Sequence, residues 1–146
     1  MKSRMNINAA ESRIYKAMAV ADNQIKEFDI DSKLKELIKV RVSQINGCGY
    51  CIDYHTKDSL ALGESNQRLF ALAAWWETPF FTEEEQAALK LAEEVTDIRH
   101  GVSDETYGNA LKLFAEKGVA QIIFITATIN SWNRIAISMH MVAGVD

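Results

Sequence analysis

The sequence predicts an all-α fold, a single-domain bundle of about seven helices spanning residues 1–146. Three observations predict it. Apolar residues recur at helical spacing almost everywhere, and no alternating strand pattern interrupts them. Proline occurs once, at Pro79, and glycine only seven times in 146 residues. Those few breakers, with Ser, Thr and Asp residues suited to N-caps, bracket segments of ordinary helix length.

Taken in order, a first helix is expected from about Ala9 to Phe28. A second starts at the Asp31/Ser32 cap, carries Leu34, Leu37, Ile38, Arg41 and Ile45 along one stripe, and stops at Asn46-Gly47, a pair suited to left-handed backbone. A third begins near Cys48 and ends at Gly63, and a fourth covers Asn66 to Glu77, with Trp75 and Trp76. After Pro79, Thr82-Glu83-Glu84-Glu85 has the form of a capping box and opens a fifth, which runs to about Arg99 before Gly101. A sixth runs from the Ser103/Asp104 cap to Gly118. The seventh, from Val119 to about Val142, is apolar on more than one face. Such a helix must be covered on most sides, either by the other six or by a second subunit, so a homo-oligomer is expected.

Composition excludes several classes. The net charge is −4, with 16 basic and 20 acidic residues and no basic run, which argues against nucleic acid as a partner. The N-terminal MKSRMNINAAESR has no apolar core of a secretory signal. The longest nearly apolar stretch, VAQIIFITATI, is too short to span a bilayer. A cytoplasmic location follows by default. There, a cysteine pair is more often redox-active or metal-binding than a structural bridge.

Both cysteines lie in NGCGYCIDYH, Asn46 to His55. On a helix, taking Cys48 as zero, Cys51 falls at about 300° and His55 at about 340°. All three share one narrow face, and Cys51 and His55 are i,i+4 neighbours. Unpaired N–H groups and the positive end of the dipole favour a thiolate at the helix start, and a second thiol traps its oxidised form as a disulfide. If the two helices fold back across Asn46-Gly47, Glu36 and His55 lie only ~3 Å out of register at ~1.5 Å per residue. Glu36 then orients the imidazole and the imidazole serves a thiol, unless Glu36 is a solvated charge among Lys33, Lys35 and Lys39.

Glu36, eleven residues, then Cys48-x-x-Cys51-x-x-x-His55 resembles the core motif of the AhpD-like alkylhydroperoxidases of the carboxymuconolactone decarboxylase superfamily. ELIKVRVSQINGCGYCIDYH is similar to the central helical hairpin of that family, and INSWNRIAISMH to a C-terminal helix of its small single-domain members. The resemblance covers Lys33 to the C-terminus. It implies an all-α fold and peroxide reduction by a cysteine pair, with no cofactor and no metal. It implies that Cys51 is the peroxidatic cysteine, that Cys48 is the proton donor and resolving cysteine, and that Glu36 and His55 form the relay. It also implies a trimer or hexamer, reduced by a lipoylated or thioredoxin-like dithiol protein. One departure stands out: the best-studied members carry a further His between the cysteines where this chain has Gly49-Tyr50. The Tyr50 hydroxyl is the candidate accessory group in its place.

Other readings remain beside this one. Zinc wants four ligands in a structural site, and His100 and His140 are distant in sequence and form no second cluster. The lyase chemistry that names the superfamily does not depend on a CxxC pair. A redox sensor that switches its dithiol without turnover has the same sequence signature as a slow peroxidase. His100 is read as a helix-end cation, and His140 as packing or surface. Trp75, Trp76, Phe80 and Phe81 are read as core or subunit contact, and Arg134 as either paired within an oligomer or exposed.

Overall fold

Side-chain caps set the helix boundaries of the computed structural model, which describes residues 2–144. Asp31 accepts from the N–H groups of Lys33 and Leu34, Thr82 and Glu85 form a reciprocal capping box, and Ser103 accepts from Thr106 N–H. The resulting helices are α1 (Ile7–Ala10), α2 (Ser12–Lys26), α3 (Ser32–Asn46), α4 (Gly49–Ala61), α5 (Asn66–Ala71), α6 (Glu83–Thr96) and α7 (Asp104–Met139). Short 3-10 turns follow α5 (Leu72–Glu77) and α6 (Ile98–His100). No strand occurs among the described residues, and none of the helices is long and apolar enough to cross a membrane.

Seven α-helices is the expected number, but they are divided differently. The first expected helix is two, because Glu11 leaves helical geometry at φ −144°, ψ 81° and caps α2 with its carboxylate. The fourth tightens after Ala71 and kinks at Ala74. The sixth and seventh are joined end to end. The break between them falls at Ala115, φ 55° and ψ 179°, not at Gly118. Gly118 is itself helical and serves a different need: a Cβ there would stand 2.6 Å from Phe114 Cβ. The helix breaks at Ala115, and a glycine one turn after Phe114 leaves room for the Phe114 side chain.

The most buried helix is α3, not α7. Leu37, Ile38, Val40 and Val42 have no exposed surface. Leu34, Ile38 and Val42 face a cluster with Ala88 and Leu91 of α6 and Ile122, Ile125 and Ile129 of α7, while Leu37 and Val40 join Leu69, Leu72, Trp75, Phe81 and Leu89 in a second. The expected stripe therefore holds at Leu34, Leu37 and Ile38 and fails at Ile45, which is exposed. In α7 the buried face includes Thr126, Asn130 and Asn133. Asn46 Nδ2 donates to the side-chain oxygens of Asn130 and Asn133, and Asn133 Nδ2 donates to Ser43 Oγ, tying α3 to α7. These bonds satisfy the polar atoms that burial strips of water.

Two features aim the site. Gly47, in left-handed geometry at φ 71°, ends α3, and Cys48 N–H returns to Ser43 O at 2.9 Å. The two-residue link folds α4 back along α3. Lys35, buried, donates its ammonium to Lys26 O and Phe28 O at 2.8 and 3.1 Å and so caps the end of α2. That bond holds down a helix whose only fully buried residue is Ile25.

Candidate functional site

Cys48 is the N-cap of α4, and its sulfur accepts from Cys51 N–H at 3.3 Å. The thiol thus takes the place of the Ser or Asp usual at this position, among the unpaired donors of the first turn. The two Cα atoms are 5.3 Å apart and the residues form a disulfide, at a separation within the normal span of such bonds. Both are nearly inaccessible, Cys48 at 1% and Cys51 at 4%.

The hairpin brings Glu36 to His55, as the register argument requires. His55 Nδ1 lies 2.8 Å from Glu36 Oε2, and Lys39 Nζ lies 2.8 Å from Glu36 Oε1. Glu36 is 8% exposed. Burial pushes its carboxyl up, but the hydrogen bond with His55 and the charge of Lys39 outweigh burial and hold it below its ordinary value. Glu36 is therefore ionised. An ionised carboxylate only accepts, so the proton in this bond sits on Nδ1 of His55. The reading of Glu36 as a solvated charge among lysines is overturned. Lys35 and Lys39 are buried with it, and Lys33 bonds Gly63 O.

The two cysteines line different cavities. Cys51 and His55 line one of about 230 Å³, walled by Tyr15, Tyr50, Tyr54 and Trp132 with Asp22 beside them. Cys48 lines another of about 280 Å³, between Gly47 and the end of α7 at Ile137 and His140. Tyr50 contributes to both, and its ring stacks on Tyr54 with centroids 6.4 Å apart. A larger cavity, about 640 Å³ between α6 and the first part of α7, contains no cysteine or histidine.

Glu36, His55 and Asp58 each place a ligand atom within 4.8 Å of one another, the one such cluster among the described residues. The fit to a dication is poor. Lys39 already occupies Glu36 Oε1 with a positive charge, and Nδ1 is taken by Oε2. His100 is exposed beside Asp97, away from the cysteine pair, and His140, the left-handed C-cap of α7, lines the cavity that Cys48 faces but belongs to no metal-ligand cluster among the described residues. Trp75 and Phe81 are core as expected, whereas Trp76 is 53% exposed. Arg134 bonds Asn130 within α7.

The sequence reading missed two groups of residues. Lys39 is the counter-ion of Glu36, a role foreshadowed by the i,i+3 spacing. Tyr15 and Asp22 come from α2, seven residues apart on one face, and carry no motif. Only the tertiary position of α2 reveals them.

An all-α hairpin that carries a CxxC disulfide on one helix and a Glu–His pair across the turn defines an AhpD-like dithiol protein. The chain belongs to the carboxymuconolactone decarboxylase family, whose pattern matches residues 13–94. It is 43% identical over 125 residues to the uncharacterized protein YdfG of Bacillus subtilis (strain 168), covering 85% of each chain. Its structure is similar to that of an Agrobacterium tumefaciens protein of unknown function, provisionally assigned to antioxidant defence as an AhpD. The TM-score is 0.95 at 32% identity, over 99% of this chain and 100% of that one. It also shares the fold of the debrominase Bmp8, a variant of which was solved in complex with 2,3,4-tribromopyrrole, with TM-score 0.82 and 20% identity over 90% of this chain and 71% of that one.

Proposed function

We propose that the protein is a thiol peroxidase that reduces hydroperoxides at Cys51. One observation carries this reading: Cys51 and His55 open onto the same cavity, while Glu36 holds the far nitrogen of His55 from the neighbouring helix. In the reduced enzyme His55 Nε2 takes the Cys51 proton, and Glu36 stabilises the imidazolium that forms. The Cys51 thiolate attacks the distal peroxide oxygen. The O–O bond breaks, a sulfur–oxygen bond forms, and the leaving alkoxide takes the proton from His55 to become an alcohol. Cys48, one helical turn away, attacks the sulfenic acid. Water leaves and the disulfide forms. Two electrons from an external dithiol protein restore the pair. The relay serves Cys51, whereas the first turn of α4 favours a thiolate at both positions. On that ground the peroxidatic role goes to Cys51 and the resolving role to Cys48. Tyr50, between the two cavities, stands where the family's extra His would be.

The resemblance also supports a lipoylated or thioredoxin-like reductant and a trimeric or hexameric assembly. Phe70 and Phe124, 81% and 62% exposed, are apolar surface that such an assembly would cover. Light scattering at micromolar concentration should return more than one chain per particle.

The test is labelling in cysteine variants. Cys51→Ser should abolish peroxide consumption. Cys48→Ser should undergo one oxidation, trapped on Cys51 by a dimedone-type reagent and read by mass spectrometry, and then stall. Label on Cys48 in Cys51→Ser protein would reverse the roles. No label in either variant would remove the peroxidase reading. Sustained turnover with a dithiol reductant separates an enzyme from a switch.

A further inference from the structure

We propose that α2 makes this site charge-selective: Tyr15 and Asp22 are specificity-determining residues that admit uncharged aryl hydroperoxides to Cys51 and turn away carboxylate-bearing ones. The chemistry at Cys51 rests on the peroxidase reading above, but the charge selection does not.

Size is the first argument. The Cys51 cavity of about 230 Å³ is roughly eight times the ~30 Å³ share of a water molecule. Hydrogen peroxide would leave most of it wet. The walls suit an aromatic ring: Tyr15 and Trp132 meet edge to face with centroids 5.2 Å apart, and Tyr54 packs edge to face on His55 at 5.1 Å. A ring entering between them finds faces and edges at the spacings aromatic pairs prefer.

Charge is the second argument. The one fully charged side chain in the lining is Asp22, and no lysine or arginine lines the cavity. Behind His55 stands Glu36, with Asp58 beside it. Lys39, the cation bonded to Glu36, is engaged on the oxygen that does not meet His55. Tyr54 senses the result: the Asp58 charge, then burial, and also the charges of Asp22 and Glu36 push its phenol up. A substrate carboxylate entering this field would meet repulsion and no partner, in a cleft where screening is weaker than at an open surface.

Position is the third. Tyr15 and Asp22 are two turns apart on one face of α2, so one helix supplies both an aromatic wall and the charge. Neither residue touches the cysteines or the Glu36–His55 pair through a bond, so both can be changed without dismantling the relay.

Two measurements test this. The first needs no peroxidase activity. Reduced Cys48→Ser protein, whose single thiol is Cys51, is alkylated with iodoacetamide and with iodoacetate, each rate divided by that of the denatured protein. The neutral reagent should be favoured about five- to tenfold. Asp22→Asn should erase most of that preference, and 0.5 M NaCl should reduce it less. A ratio near one, or one that neither change moves, overturns the charge filter even if the enzyme proves an active peroxidase. The second compares kcat/KM for cumene hydroperoxide, its para-carboxylate and hydrogen peroxide. Asp22→Asn should raise the carboxylate several-fold and leave cumene hydroperoxide within twofold. Tyr15→Ala should lower cumene hydroperoxide about three- to tenfold and hydrogen peroxide by less than twofold. Parallel losses for both peroxides would make Tyr15 a merely structural residue and overturn its role. Failure of all three hydroperoxides with an intact alkylation preference would sink the peroxidase reading and keep the filter.

Discussion

Removing the ammonium of Lys39 while keeping its stem, Lys39→Met, leaves Glu36 ionised and buried with only His55 as partner. Both members of the pair are shielded, with side chains 7% and 10% exposed. Breaking such a pair costs roughly 3–5 kcal/mol, because an uncompensated charge stays behind. His55 still donates to Glu36 Oε2 at 2.8 Å, so the lower end, about 3 kcal/mol, is the expected loss at pH 7. At about 2–4 °C per kcal/mol for a chain of this size, the melting midpoint should fall by about 6–12 °C. The pH dependence follows from the direction of the Glu36 shift. Its carboxyl is held below its ordinary value of 4.5, so the pair's stabilisation is fully present above pH 4.5 and is lost as pH falls through the folded value. Circular-dichroism melts of wild type and Lys39→Met should differ most at neutral pH and converge in acid. Adding Glu36→Gln to Lys39→Met should restore part of the loss, since no unpaired charge then remains. A neutral-pH loss under about 1 kcal/mol, or a gap unchanged between pH 7 and pH 3.5, would refute the view that Lys39 keeps Glu36 charged.

The break inside α7 gives an opposed pair of outcomes. Gly118→Ala forces a methyl to within 2.6 Å of Phe114 Cβ, and should lower denaturant stability by about 1–3 kcal/mol, the usual range for overpacking. Ala115→Gly, at φ 55° and ψ 179°, relieves a geometry that only glycine adopts readily and should raise stability by about 1 kcal/mol. Equal destabilisation by both would count against the break. Thr82→Ala removes one half of a capping box and should cost about 1 kcal/mol, read as a lower urea midpoint with an unchanged slope.

Local chemistry made the caps and the hairpin legible. Asp31, Gly47, Thr82 and Ser103 act through atoms within a few residues of themselves, and those atoms are in the sequence. The Glu36–His55 contact was legible for a related reason: a two-residue turn makes the register of its two helices a matter of counting. Burial was less legible. α7 is more apolar than α3, yet α3 lies deeper, because α3 is packed by α4, α6 and α7 on different sides, and its charged Lys35, Glu36 and Lys39 are buried by satisfying one another or the end of α2. A hydropathy pattern counts those three as surface. The break at Ala115 was invisible because alanine is the strongest helix former. Nothing local asks for it. It is betrayed only by the glycine three residues later, whose missing Cβ makes room for Phe114.

The placement of the relay also bears on why the site tolerates Gly49-Tyr50 between its cysteines. On the peroxidase reading, the base for Cys51 comes along α4 and is oriented from across the hairpin. Both belong to a single chain of contacts: His55 stands four residues along α4, and Glu36, from α3, fixes which of its nitrogens is free. A second imidazole between the cysteines would sit in the first turn, where the dipole already favours thiolate over thiol. In its place Tyr50 puts a ring between the two cavities, so that Cys51 looks toward α2 and Cys48 toward the end of α7. One cysteine thereby lines the aromatic cleft that holds Asp22 and the other a separate cavity. On the peroxidase reading, the reduced pair would meet its oxidant at Cys51 and the disulfide its reductant at Cys48, from cavities on different sides of Tyr50.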